Sequence, residues 1–313
     1  MKIRTRFAPS PTGYMHLGNI WVAFLNWYWT RQNRGEIVLR IEDIDRQRCR
    51  EEYIQGILCD LEWLGIDSDE GPQGEYSYGS TIQSKRYPLY DRFFEELKRQ
   101  KAVYPCFCTR ARLHGISSAP HIGEDTPVYD GKCRNMSKEE IAAQTKSPSW
   151  RIKMSGGNYT FSDRFCGEQQ KSLQPCRDDF VIRRADGMVA YQLAVSYDDA
   201  DMGITHVMRG NDLLGSTFYQ MVIFDLLKKK HPEYMHLPLL VDEKGVRLSK
   251  RQQGLTVREL RRDGISADKI IGRLLYWAGA ISEPAAVSAE QALRNIPFSA
   301  CTKLTEKMIT VQY

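Results

Sequence analysis

No stretch of this chain approaches the roughly 18 consecutive apolar residues that a membrane-spanning helix needs, so no membrane partner is expected. The amino terminus, MKIRTRFAPS, lacks the apolar core of a secretory signal, and the expected compartment is the cytoplasm. Internal repeats and low-complexity tracts are missing too, which excludes solenoids and arrays. Neither sign of charge dominates: 44 Lys and Arg stand against 39 Asp and Glu, for a net charge of +5. So small a basic excess permits an RNA partner without requiring one. With 42% hydrophobic and 27% charged residues over 313 positions, the chain can fold two or three units with cores of their own.

The patterning begins as an alternation of strands and helices. Residues 3–8 read as a short strand, and Ile20 to Arg31 as a helix buried on most sides, with Trp21, Phe24, Leu25, Trp27 and Tyr28. Glu36 to Ile41 reads as a buried strand, and residues 50–64 as a helix stopped at Gly65. That spacing opens a doubly wound parallel sheet of the Rossmann type, an α/β fold. Tyr87 to Ala102 predicts an amphipathic helix carrying Tyr90, Phe93, Phe94 and Leu97. From Tyr104 to Gln174 the periodicity is poor, as in an insertion with short strands such as Trp150 to Lys153. Strands are expected again at Phe180–Ile182, Val189–Val195 and Ile204–Met208, then a helix over Thr217–Leu227 and strands near 236–248. The tail, 255–313, reads as mostly helical.

Three groups of residues carry chemistry. His16-Leu17-Gly18-Asn19 falls between a predicted strand and a predicted helix. Helix-start N–H groups there favour phosphate, Gly18 lets an adenine ring lie on the backbone, and His16 can donate to a phosphate. Read singly, His16 is as well explained as a helix cap. Arg247-Leu248-Ser249-Lys250-Arg251 puts three cations on a flexible segment, suited to clamping a triphosphate. Cys106, Cys108 and Cys133 lie close together in a reducing compartment, which points to a tetrahedral Zn²⁺ rather than disulfides. The fourth ligand is Tyr129, His121 or His114, and coordination chemistry alone favours a histidine.

In order along the chain, RFAPSPTG, HLG, RIEDID and RLSKR resemble the class I aminoacyl-tRNA synthetases of the glutamyl type over roughly residues 1–280. The resemblance implies a site for L-glutamate made of Arg6, Phe7, Ala8, Pro9, Ser10, Glu42, Tyr191 and Arg209. Arg6 and Arg209 are its cations, Glu42 the anion for the ammonium, and Ser10 and Tyr191 its hydroxyls. ATP with Mg²⁺ is implied at His16, Gly18, Asn19, Arg247, Ser249 and Lys250, with His16 and Lys250 acting on the phosphates. Adenylation of a carboxylate that is already ionised needs positioning and charge stabilisation, with no protein nucleophile.

Two further details resemble the glutamyl-queuosine tRNA(Asp) synthetases. One is the CxC…YxxxC spacing, which implies Tyr129 as the fourth zinc ligand. The other is Tyr191-Gln192-Leu193-Ala194-Val195, where full-length glutamyl enzymes tend to carry Asn at the last place. The sequence also ends at Tyr313, where full-length enzymes continue into helical domains that read the anticodon. The acceptor implied is queuosine in tRNA(Asp), with glutamate activated in the absence of tRNA and the enzyme acting as a monomer. The expected division is 1–87 and 188–241 for the halves of the sheet, 88–187 for a zinc-containing insertion, and 242–313 for the KMSKS-like loop and a small helical stem-contact-like domain. Basic residues of that tail, Arg258, Arg261, Arg262, Lys269 and Arg273, suit phosphate contact. The rival expectations are a shortened enzyme charging tRNA(Glu) and a non-catalytic regulatory paralogue.

Overall fold

The computed structural model describes residues 2–109, 112–113, 129–248 and 256–311. Strand β1 (Arg4–Phe7) leads through helix α1 (Leu17–Gln32) to β2 (Glu36–Leu39), which pairs parallel with β1 from Arg4↔Glu36 to Phe7↔Leu39. Helices α2 (Glu51–Trp63) and α3 (Tyr87–Arg99) follow. Next come β3 (Val103–Cys106), the short α4 (Lys138–Ala142), β4 (Ser149–Ile152), the hairpin of β5 (Gly157–Asp163) and β6 (Gly167–Leu173), and β7 (Val181–Arg183). Helix α5 (Tyr191–Asp201) precedes the second parallel unit, β8 (His206–Gly210), α6 (Ser216–Leu226) and β9 (Glu233–Leu237). Beyond it lie β10 (Leu239–Val241), α7 (Val257–Arg262), α8 (Ala267–Trp277), α9 (Ala289–Asn295) and β11 (Met308–Thr310).

The two parallel units meet where Thr205 N–H donates to the Arg4 carbonyl at 2.8 Å and Arg4 N–H donates to Thr205 Oγ1 at 2.8 Å. Beyond β9 the sheet continues into β5, through one parallel partnership at Asp163↔Tyr234, and ends at β6. The period-two alternation of strands divides the side chains between faces. Ile37, Leu39, Met208, Met235 and Leu237 join α1 in the largest core, while Val38, Val207 and Tyr234 pack on the opposite side. The same parity sends Arg209 and His236 to the second face, toward the carboxyl ends of the strands. Helices α3, α5 and α6 build a separate core through Phe93, Phe94, Leu193, Ala194, Val222 and Ile223.

One expectation is corrected here, and the tail and insertion gain detail. Val189–Val195 is not a strand: Tyr191 begins helix α5. Leu193, Ala194, Val195, Ser196, Asp198 and Asp199 are all buried, so apolar and polar side chains are mixed over the packed surface and no apolar stripe of helical period marks the helix. The tail is mostly helical, and Met308–Thr310 adds β11, which pairs parallel with β10. The insertion holds the longest antiparallel pairing among the described residues, the β5–β6 hairpin. One face of β5, with Tyr159, Phe161 and Asp163, is half-buried or buried while Asn158, Thr160 and Ser162 are exposed, but β6 is polar on both faces until Leu173, so the pair as a whole carries little hydrophobic alternation.

Asp60 on α2 is buried, one of its carboxylate oxygens has no hydrogen-bond partner, and burial pushes its pKa from 3.8 up to about 6, against the pull of Arg261 and Arg258. A carboxyl that titrates higher in the folded state binds more protons there than in the unfolded chain, so stability falls as pH rises between those values. Asp60→Asn is expected to raise stability at pH above about 7 by about 1–2 kcal/mol and to flatten stability against pH between 4 and 6 in urea titrations.

Candidate active site

A cavity of ≈ 460 Å³ opens at the carboxyl ends of β1, β2 and β8, where an open parallel sheet places its ligands. Arg6, Phe7, Ala8, Pro9 and Ser10 form one wall, and Glu42, Tyr191 and Arg209 close the inner end. Gly18, Asn19 and Arg247 line it as well, so the structure brings together every member of the expected glutamate set and three of the expected ATP set. His16 does not line the cavity but stands behind Gly18. Ser249, Lys250 and Arg251, like His114 and His121, lie outside the described residues.

Buried charge organises the inner end. Arg6 Nε donates to Asp199 at 3.1 Å, and Arg40 Nη1 donates to the same carboxylate at 2.6 Å. Arg40 Nη2 reaches Glu42 Oε1 at 3.0 Å, and Arg86 Nε reaches Asp198 at 2.7 Å. Burial works to raise Asp199, but the guanidinium groups of Arg6 and Arg40 more than offset it and hold it below the usual carboxylate range. Burial pushes Glu42 up, against Arg40 and Arg6.

Arg209 differs from the other three arginines. It is 4% exposed, yet its hydrogen-bond partners are all neutral: His236 Nε2 at 2.9 Å, Gln220 Oε1 at 2.7 Å, Thr217 Oγ1 at 2.8 Å and the Leu213 carbonyl at 3.4 Å. Burial lowers its pKa. A desolvated guanidinium without a carboxylate, on the wall of a cavity, is a receptor for an anion. Glu42, with one oxygen on Arg40, offers the opposite charge to the same space.

The amino end of α1 is capped by His16, whose Nδ1 accepts from Gly18 N–H at 3.0 Å, while Asn19 Oδ1 accepts from His16 N–H at 3.2 Å. Asn19 N–H also donates to the His16 carbonyl, at 2.8 Å. The helix-start N–H groups of Gly18 and Asn19 are therefore committed to the cap. A Cβ at Gly18 would sit 3.0 Å from the His16 ring, so glycine is what lets the ring and cavity approach each other. At the rim Arg247 pairs with Asp212.

In the insertion, the Cys106, Cys108 and Cys133 sulfurs all lie within 4.8 Å of one another. Tyr129 is buried beside them, its oxygen accepting Cys133 N–H at 2.9 Å and standing 3.8 Å from Cys106 Sγ. Arg151 Nε donates to Cys106 Sγ at 3.4 Å and Arg112 Nη1 to Cys108 Sγ at 3.3 Å. Burial works to raise Cys106, but the Cys108 N–H and Arg151 bring it below the ordinary thiol value. Cys108 is pushed up to about 12 by burial and by its neighbouring sulfurs. A divalent cation is what would let all the sulfurs ionise together, so this group can hold a metal.

Arg40, known from sequence only as the first residue of RIEDID, and Asp198, Asp199, Asp212, Gln220, Asp163 and His236, to which the motifs assign no role, complete the site. The adjacent carboxylates Asp198 and Asp199 inside an otherwise apolar run were the legible signal, since buried carboxylates need cations.

Two parallel units meeting at a cleft that gathers guanidinium groups beside a histidine–glycine helix start are the catalytic architecture of a class I aminoacyl-tRNA synthetase. The chain belongs to the glutamate and glutamine branch of that class: residues 2–282 match the family described as "tRNA synthetases class I (E and Q), catalytic domain". It is 46% identical to the Glutamyl-Q tRNA(Asp) synthetase of Nitratidesulfovibrio vulgaris, over 90% of this chain and 88% of that one. Its identity to the protein of the same name from Symbiobacterium thermophilum is 42%, over 92% and 90%. A solved glutamate tRNA ligase from Elizabethkingia meningosepticum, in complex with its amino acid, superposes with a TM-score of 0.79 at 27% identity, over 96% of this chain and 66% of that one. No described helix is long and apolar enough to cross a membrane.

Asp199→Asn removes the anion shared by two buried guanidinium groups. Unfolding in urea is expected to show a loss of about 3–5 kcal/mol, the range for breaking a buried pair from one side.

Proposed function

We propose that this protein activates L-glutamate with ATP and transfers the glutamyl group to queuosine in the anticodon of tRNA(Asp). The observation that carries the reading is Arg209: a buried cation with no carboxylate of its own, facing a cavity that also presents Glu42. A dicarboxylic amino acid supplies what both lack. Arg209 and Arg6 take its carboxylates, Glu42 its ammonium, Ser10 and Tyr191 hydrogen-bond to it, and Phe7, Ala8 and Pro9 form the wall. A guanidinium fork also rejects the neutral amide of glutamine.

ATP, entering with Mg²⁺, lies against Gly18 and Asn19, with His16, Arg247, Ser249 and Lys250 serving its phosphates. An α-carboxylate oxygen of glutamate forms a bond to the α-phosphorus while the bond to the bridging oxygen breaks, and pyrophosphate leaves with the electron pair. A hydroxyl of the queuosine ring then attacks the glutamyl carbonyl, loses its proton and releases AMP. The acceptor rests on the names carried by the two relatives described above. The enzyme acts as a cytoplasmic monomer. Its insertion, 88–187, is stiffened by Zn²⁺ on Cys106, Cys108, Cys133 and Tyr129, and residues 242–313 supply the KMSKS-like loop and a small helical domain that meets the tRNA.

Glutamate-dependent exchange of pyrophosphate into ATP is expected without tRNA, and Arg209→Met is expected to lower kcat/KM for glutamate by roughly a hundredfold or more. Mass analysis of anticodon fragments should place one glutamyl group on queuosine. Capture of glutamate by queuosine-free tRNA, or exchange driven by aspartate or glutamine, refutes the assignment.

Metal analysis is expected to find one zinc per chain. Cys133→Ala should abolish it and lower the melting temperature, since metal binding and folding are linked. Purified full-length protein that melts identically with and without a strong chelator would overturn the zinc assignment.

A further inference from the structure

Arg209 is held in place by a chain of buried groups that does not itself line the cavity. Its Nε–H donates to His236 Nε2 at 2.9 Å, and His236 Nδ1 lies 2.6 Å from Asp163 Oδ2. His236 is fully buried and Asp163 is 3% exposed. A guanidinium can only donate, so His236 Nε2 must present its lone pair, and the ring proton must sit on Nδ1 and point at Asp163. The other tautomer would set N–H against N–H at hydrogen-bond distance. An imidazolium would do the same and add a like charge. Burial and the Arg209 charge both hold the ring neutral.

We propose that Asp163 is a positioning residue for the anion receptor: it fixes the tautomer of His236, and that ring in turn fixes the guanidinium of Arg209. The proposal rests on the glutamate reading only in the use made of Arg209. Asp163 ends strand β5, at the turn of the exposed hairpin, so an element outside the two parallel units sets the geometry of the amino-acid pocket. The carboxylate is itself anchored, accepting the backbone N–H groups of Phe165 and Cys166 at 3.0 Å and of His236 at 3.2 Å. An anchored carboxylate holds its ring in one orientation, as carboxylates behind metal-bound histidines do.

Three substitutions separate positioning from packing. Asp163→Asn keeps an oxygen for the backbone donors, but its amide nitrogen donates to Nδ1 and turns the ring to the Nε2–H tautomer. His236→Gln keeps an acceptor where Nε2 stood. His236→Asn keeps only the partner of Asp163 and strips Arg209 Nε–H bare.

Nitrogen NMR of the intact protein with labelled histidine is expected to find the ring proton on Nδ1 in the wild type and on Nε2 in Asp163→Asn. In pyrophosphate exchange, Asp163→Asn and His236→Asn are expected to raise KM for glutamate by about tenfold or more, with a smaller change in kcat, while His236→Gln stays within about threefold. Asp163→Asn should add little in the His236→Gln background, because an amide has no tautomer to set. A ring proton that stays on Nδ1 in Asp163→Asn overturns the proposal, as do equal costs in both backgrounds or a His236→Asn protein no worse than His236→Gln. Lack of exchange in the wild type would count against the glutamate reading alone, and the tautomer spectrum would then decide this proposal. If Asp163→Asn fails to fold, the two His236 variants decide it.

Discussion

Four arginines around the site, Arg6, Arg40, Arg86 and Arg209, are buried at 4%, 0%, 1% and 4% exposure, and helix α5 supplies carboxylates to the first three. Charge taken out of water must be compensated nearby, or the fold is lost. Asp199 serves Arg6 and Arg40, and Asp198 serves Arg86. Arg209 receives only neutral acceptors, so the compensation is incomplete where the cavity described above opens. An anionic ligand completes the set, which makes binding and local charge balance a single event.

The same network explains how separate elements come to share one site. Arg6 stands on β1, Arg40 just beyond β2, and Arg86 immediately before α3, and all three converge on the carboxyl-terminal half of α5. The helix that begins with Tyr191 on the cavity wall thus ends as the electrostatic tie between the two parallel units. Buried ion pairs of this kind contribute little net stability but penalise misarranged alternatives heavily, because each lost partner leaves a bare charge. The hydrophobic cores on the two faces of the sheet hold the scaffold, and the polar face sets its alignment.

The insertion follows a different logic. Its small apolar cluster gathers Tyr104, Cys106, Tyr129 and Cys133, and much of the rest is hydrogen-bonded charge such as Arg134 on Asp179 at 2.6 Å. Ile152, Met154, Leu173 and Ile182 of the same segment join the core of α3, α5 and α6 instead, while the converging sulfurs stand apart with arginines behind two of them. Meanwhile the β5–β6 hairpin delivers Asp163 to the partner strand of the main sheet. The segment with the least hydrophobic pattern therefore contributes both a metal-competent group and a buried carboxylate.

Much of this was written in local order. Periodicity located β1, α1, β2, α2 and α3 because each buries one consistent face, or in α1 nearly all faces. Motif order pointed to Arg6, Gly18, Glu42, Arg209 and Arg247, which the fold gathers around one cavity. Helix α5 differs from the strand its sequence suggests, and the hairpin from the irregular segment expected, because α5 buries apolar and acidic residues together with no single apolar stripe, while β6 is almost wholly polar. The partners of these residues were not legible: Asp199 lies 193 positions from Arg6, and Asp163 lies 73 positions from His236. Local sequence determines what each segment can bury and which ionisable groups it brings. Which charge meets which counter-charge, and which is left to await a ligand, is decided only when distant strands and helices close on one another, since Coulomb and hydrogen-bond energies depend on separations that sequence spacing does not encode.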